Sequence, residues 1–311
     1  ADRQWLDHSQ PLDRSAPPWA DEMYKGSLLV LRALTDRRTG AVAAGARDGW
    51  AYVWPRDAGA VALAFKAAGY PTEARRSARF LLGLDLSAAA RFDGKGQPVP
   101  DRGPQGDASG WVAIAARAAG LHPPPPRDWR NLPDYQESSP GNYLANAIAS
   151  TAADGPKSLA MDDKSSRRWQ EHDTSARQPL VRRLGDPASG LDSAAAWAVE
   201  PFALPWLYPQ AQETMLRLVH GSGRFGITPG TAWHEDDPWS APTAWTAWSL
   251  AGLGERQSAL RLMAALRRSA TPAGALPERV DAPTGIPRST TPLAWSHAFA
   301  ILALRELWAT R

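Results

Sequence analysis

Arg56-Asp57-Ala58-Gly59-Ala60-Val61-Ala62-Leu63-Ala64-Phe65-Lys66-Ala67-Ala68-Gly69 carries its apolar residues at spacings of three and four, the period of a helix face. The pattern returns at 107–119, 141–152, 192–204, 241–253 and 292–308. Between these segments lie more polar, arginine-rich helical stretches at 73–84, 208–219 and 255–269. Alternation of the kind strands need is nearly absent. Alanine-rich apolar helices therefore alternate with charged ones.

The apolar helices begin alike: WPRDAGA from Trp54, PQGDASGW from Pro104, SPGNYLA from Ser139, LDSAAAWA from Leu191, DPWSAPTAW from Asp237 and TTPLAWSHA from Thr290. Each entry holds Asp, Ser, Thr or Pro, as first turns and caps require. Successive starts lie about 35 to 50 residues apart, roughly one helix pair with its loops. Six such pairs predict an all-α chain, an (α/α)6 toroid of inner apolar and outer polar helices. The inner-helix starts would line one rim of a central cavity. An open solenoid of stacked pairs gives a similar period. The reading treats residues 1–311 as one domain, with 1–19 an irregular lead-in and the first helix starting near Trp19. Residues 121–133 contain consecutive prolines and cannot be helical. The polar stretch 154–190 has room for a helix near 165–178.

Composition narrows the function. The 35 basic and 32 acidic residues nearly cancel, and no long Lys/Arg block is present. A nucleic-acid partner is therefore not expected. With no cysteine and only six scattered histidines, a metal site is not expected either, nor is a cofactor: no phosphate loop, dinucleotide fingerprint or nucleophile elbow is present. No apolar run is long enough to span a bilayer. The chain starts at Ala1 rather than Met, and an extracellular or cell-envelope location is the expectation over a cytoplasmic one. The 15 tryptophans outnumber the six phenylalanines and six tyrosines. An indole offers a flat apolar face with a polar edge, suited to a sugar ring and equally to a helical core.

Several helix-entry segments hold groups that can do chemistry. Tyr52-Val53-Trp54-Pro55-Arg56-Asp57 places aromatics, a cation and a carboxylate at one helix mouth. Arg and Asp there can cap the helix, or clamp hydroxyls by donating and accepting. Gln105 and Asp107 sit at the next mouth, where capping alone is an adequate role for Asp107. Glu137 follows Asp134-Tyr135-Gln136 on a rim segment beside aromatics, where a carboxyl can serve as an acid. Arg224 lies in Gly223-Arg224-Phe225-Gly226, with Trp239 downstream. Glu278 precedes the last apolar helix, which carries Trp295 and His297.

In this order the segments resemble the catalytic domain of the glucoamylase-like inverting glycosidases, glycoside hydrolase family 15. Tyr52 to Asp57 is similar to the family's Y-x-W-x-R-D motif, and Arg102 to Asp107 resembles its R-x-P-Q-x-D segment. Asp134 to Glu137 resembles the segment of the general acid, with Gln136 in place of the usual Trp. Gly223-Arg224-Phe225 resembles a G-R-Y segment whose arginine contacts the terminal sugar. Glu278, Asp281 and Leu293 to His297 resemble the E-x-x-D and L-x-W-S-H/Y pattern of the general base. An aromatic often precedes the R-x-P-Q segment; here that position is Asp101.

The resemblance implies catalysis by Glu137 as acid and Glu278 as base. It implies substrate contacts from Tyr52, Trp54, Arg56, Asp57, Gln105, Asp107, Arg224, Trp239, Trp295 and His297. The implied partner is an oligo- or polysaccharide, and the implied reaction is exo-acting release of a terminal sugar, glucose in the family, from α-linked glucans or short α-glucosides. Alternatives are an inverting phosphorylase or a lyase on the same toroid, a non-catalytic sugar-binding descendant, and a helical scaffold for protein partners.

Overall fold

The structure is a computed structural model that describes residues 2–123, 148–149, 184, 191–231, 233 and 235–308. Nine α-helices can be traced among the described residues. They are α1 (Asp2–Leu6), α2 (Pro18–Leu34), α3 (Pro55–Ala67), α4 (Pro71–Leu82), α5 (Ala108–Ala118), α6 (Tyr208–His220), α7 (Ser240–Gly252), α8 (Arg256–Ser269) and α9 (Ala294–Trp308). A 3-10 segment, Ser193–Ala198, precedes α6. One small hairpin, β1 (Arg279–Val280) with β2 (Pro287–Arg288), leads into α9. Apart from Ile148 and Ala149, both buried, the expected helix at 141–152 lies outside the described residues. So do the expected helix near 165–178 and residues 124–133.

Two burial patterns separate the helices into rings. The outer helices bury one stripe: Ala74, Ser77, Ala78 and Leu81 on α4; Ala211, Thr214, Met215 and Leu218 on α6; Ala259, Leu262, Met263 and Leu266 on α8. Offsets of three, four and seven from the first residue of each set are those of a helix with one face in the core. The inner helices are covered all round. Every residue of α7 from Ser240 to Leu250 is buried, as is every residue of α9 from Ala294 to Leu304. α4 packs on α3, α8 on α7, α2 on α9, and α6 on the 3-10 segment.

The last inner helix, α9, packs against α7 on one side and against the first inner helix, α3, on the other. The Ala294 N–H also donates to the Ala44 carbonyl ahead of α3, at 2.7 Å. The ring is therefore closed, which an open solenoid would not achieve. Its interior is filled by edge-to-face indoles: Trp111 on Trp197 at 5.1 Å, Trp197 on Trp245 at 5.3 Å, and Trp245 on Trp295 at 5.2 Å. The central space is thus plugged below the rim.

Three local outcomes differ from the sequence reading. The lead-in is not wholly irregular, because α1 forms and Trp5 anchors it. The Trp5 ring stacks on Tyr70 at 4.0 Å, its Nε1 donates to Glu73, and Arg32 lies over it. Within 192–204 only Ser193–Ala198 is helical, as a 3-10 segment rather than an α-helix. Its carbonyls at Ser193 and Ala196 accept from Trp245 Nε1 and Ser249 Oγ of α7. Side-chain capping is also scarce. Asp192 caps through its carboxylate, whereas α2, α3, α4 and α6 start on a proline at the first or second position, where the missing N–H costs nothing.

Inner helices approach closely through glycine. A Cβ at Gly110 of α5 would collide with the Ala149 backbone, and one at Gly59 of α3 would press on Trp111. Gly110→Ala should therefore lower stability by about 1–3 kcal/mol, the range for overpacking a filled core. An unchanged urea midpoint for this variant would show that the two backbones can part without cost.

Candidate active site

The rim of the ring holds a cavity of about 290 Å3. Its first wall is built by the start of α3. Val53 exchanges two backbone hydrogen bonds with Phe92, at 2.7 and 2.9 Å, so Trp54, Pro55, Arg56 and Asp57 turn into the helix from a fixed point. Trp54, Arg56 and Asp57 line the cavity, and the arginine and aspartate are both buried. Arg56 Nη1 donates to Asp107 Oδ2 at 2.6 Å. Its guanidinium also lies 5.0 Å from the Trp295 ring. Asp107 occupies the N-cap position of α5 but makes no side-chain cap; its carboxylate serves Arg56 instead.

Arg91 supports this wall from behind. It spans the Tyr52 ring at 4.5 Å and the Trp54 ring at 5.2 Å. It donates to the Gly49 carbonyl at 2.6 Å and pairs with both carboxylate oxygens of Asp101. Asp101 thus anchors the cation on which the Tyr52 and Trp54 rings rest.

The second wall comes from the segment before α7 and from the hairpin. Trp233, Glu235, Trp239, Glu278, Arg279 and Ser289 face the cavity, and Trp233 meets Trp239 edge to face at 5.4 Å. Glu278 is held by its backbone on both sides: its N–H donates to the Thr290 carbonyl at 2.9 Å, and its carbonyl accepts from Ser240 N–H at 3.0 Å. Ala44, Trp50, Arg102, Leu293 and Trp295 complete the lining.

Of the expected site residues, Trp54, Arg56, Asp57, Trp239, Glu278 and Trp295 meet around one cavity. Glu137 lies outside the described residues. Tyr52, Gln105 and Asp107 do not line the cavity; Tyr52 backs onto Arg91, and the other two are buried. Arg224 does not line this cavity. It is exposed, its guanidinium lies over Phe225, and its carbonyl accepts from Arg268 on the outer helix α8.

Nor does His297 line it. It is fully buried, with Nε2 accepting the Leu276 N–H at 2.9 Å and Nδ1 2.9 Å from Ser27 Oγ. Because Nε2 accepts, the proton sits on Nδ1 and is donated to the serine. The ring thus tethers the segment leading into Glu278. The sequence reading passed over Trp50, Arg102, Glu235, Arg279 and Ser289 as lining groups. The run Glu235-Asp236-Asp237 just before Pro238-Trp239 was the available signal for Glu235.

Among the described residues no group of three or more His, Asp or Glu is placed to hold a metal ion, and no helix is long and apolar enough to cross a membrane. What the cavity offers is a buried cation and carboxylate for hydroxyls, indole faces for apolar ring surfaces, and a carboxylate on a fixed backbone.

No family model matches the sequence, and no curated protein matches it. Solved structures do match in fold. A wild-type glycosidase has a TM-score of 0.73 at 20% identity, over 93% of this chain and 96% of its own. A bacterial glucoamylase complexed with acarbose has a TM-score of 0.67 at 17% identity, over 98% of this chain and 57% of its own. The glucoamylase from Saccharomycopsis fibuligera has a TM-score of 0.62 at 14% identity, over 96% of each chain. The fold shared with these glucoamylases is the (α/α)6 toroid.

Burial pushes the His297 pKa down from 6.5 to about 3. The unfolded chain therefore takes up a proton between pH 6.5 and 3 that the folded chain refuses. The stability contributed is complete above pH 6.5 and falls as pH drops through that window, by up to ~1.4 kcal/mol per unit. NMR of the imidazole should show the neutral Nδ1–H tautomer of His297 down to pH 5. Protonation of His297 near pH 6.5 would contradict this packing.

Proposed function

We propose that the chain is a glycoside hydrolase, with residues 1–311 as one catalytic domain. The reaction is exo-acting, inverting release of a terminal sugar, glucose by the family resemblance, from α-linked glucans or short α-glucosides. The observation that carries the reading is one small cavity in which buried Arg56 and Asp57 share walls with Glu278 on a backbone held from both sides. Its volume is at the low end for ligand pockets, in keeping with one terminal sugar ring. The aromatic plug beneath it supports a closed end and hence exo action.

In this mechanism Arg56 donates to, and Asp57 accepts from, hydroxyls of the terminal sugar. The faces of Trp54, Trp239 and Trp295 flank its apolar surfaces. Glu278, ionised, takes a proton from a water that attacks the anomeric carbon. Glu137, protonated, gives its proton to the glycosidic oxygen as that bond breaks. Its role rests on the Asp134 to Glu137 motif. Inversion needs the two carboxyl groups roughly 6.5–9.5 Å apart, to leave room for the water.

A panel of maltose, isomaltose, trehalose, dextran and starch should yield free glucose from at least one member, first seen by NMR as the β anomer. Glucose released from the non-reducing end of starch or dextran and first seen as the α anomer would rule out inversion, and no sugar from any member would sink the hydrolase reading. Glu278→Gln and Glu137→Gln should each lower kcat by roughly 10²–10⁴-fold with the fold intact. Near-normal turnover in either would mean that another carboxylate does that work.

A further inference from the structure

The hairpin register sets Arg279 directly opposite Arg288. Like charges in that position destabilise an antiparallel pair, yet this pair neighbours Glu278. The structure resolves the conflict with one carboxylate. Asp237 Oδ2 lies 3.4 Å from Arg279 Nη1 and 3.1 Å from Arg288 Nη1, and the Asp237 side chain is only 9% exposed. Glu235 pairs with the same Nη1 of Arg279, and Asp281 pairs with the other terminal nitrogen of Arg288, Nη2. Five alternating charges thus run Glu235, Arg279, Asp237, Arg288, Asp281. Burial, and then the nearby Arg288, hold the Arg279 guanidinium below its ordinary pKa, so the like-charge contact is felt.

The same five residues span the three backbone segments that fix Glu278. The segment after Asp237 pairs with β1 through Val280 N–H to Pro238 O at 3.1 Å and Ser240 N–H to Glu278 O at 3.0 Å. The segment after Arg288 accepts the Glu278 N–H at Thr290. We propose that Asp237 is a positioning residue for Glu278: as shared counter-ion of two facing arginines, it lets the three segments close at the register that aims the Glu278 carboxylate into the cavity. This rests on the reading of Glu278 as the base.

The test is a charge cycle of Asp237→Asn, Arg288→Gln and the double variant. Asp237→Asn should lower kcat on the best panel substrate by about 10²-fold, the scale of a small misplacement. KM should move less than about threefold, because Arg56 and Asp57 are untouched. The double variant should recover kcat to within about fivefold of wild type, since the facing charges are gone. Hydrogen exchange at the Glu278 and Val280 amides should quicken in Asp237→Asn and slow again in the double variant. Failure of Asp237→Asn to fold, with folding restored in the double variant, supports the proposal equally. Wild-type kcat and exchange in Asp237→Asn would overturn it, as would a double variant no better than the single one. The exchange arm needs no turnover. If the wild-type chain hydrolyses nothing, the function is lost but the charge cycle is still decided by exchange.

Discussion

A guanidinium withdrawn from water must bring a carboxylate with it, and the Arg56–Asp107 pair is where this chain meets that demand. Burial of either ion alone would cost several kcal/mol. The pair therefore commits the starts of α3 and α5 to one another, and Trp295 at the start of α9 covers the cation. Three inner helices are locked at their rim ends by one side chain. The rest of the ring can then be held by unspecific means: alanine-rich faces, glycine contacts and tilted indoles.

The helices were legible because burial writes itself into spacing. An outer helix must show one stripe, and α4, α6 and α8 do; an inner helix must do without charged side chains all round, as α7 does from Ser240 to Leu250 and α9 from Ala294 to Leu304. α1 was missed because five residues carry too little period, and its place is set by Trp5 finding Tyr70 and Glu73 across the chain. At the site, neighbours in sequence proved poor guides on a helix. His297 is two residues beyond Trp295, a turn of about 200°, so with Trp295 on the cavity the imidazole faces away. In an extended segment the same separation keeps residues on one side, which is why Arg91 can lie over both Tyr52 and Trp54. Trp50, Glu235 and Arg279 stand on loops and at a hairpin, where no period marks the inward side.

The two walls are held by different physics. Around Arg56 the charges are dry and their geometry is rigid. Around Arg279 they are partly wet: Glu235, Arg288 and Asp281 all reach solvent. Salt at physiological strength screens exposed pairs and leaves buried ones nearly alone. The wall that carries Glu278 is therefore the one that responds to ionic strength and to small changes of sequence, while the Arg56 wall does not.

Closure of the ring by α9 against α3 also orders events in time. Contacts between elements so distant in the chain carry a large loop-closure cost and form late. A chain made from its N-terminus exposes Arg56, Asp57 and Trp54 long before Glu278 and Trp295 leave the ribosome. The nascent chain thus has a half-built rim with apolar inner helices uncovered, a state prone to association with other chains. Synthesis of α9 both hides that surface and completes the cavity, so solubility and the competent pocket arrive together.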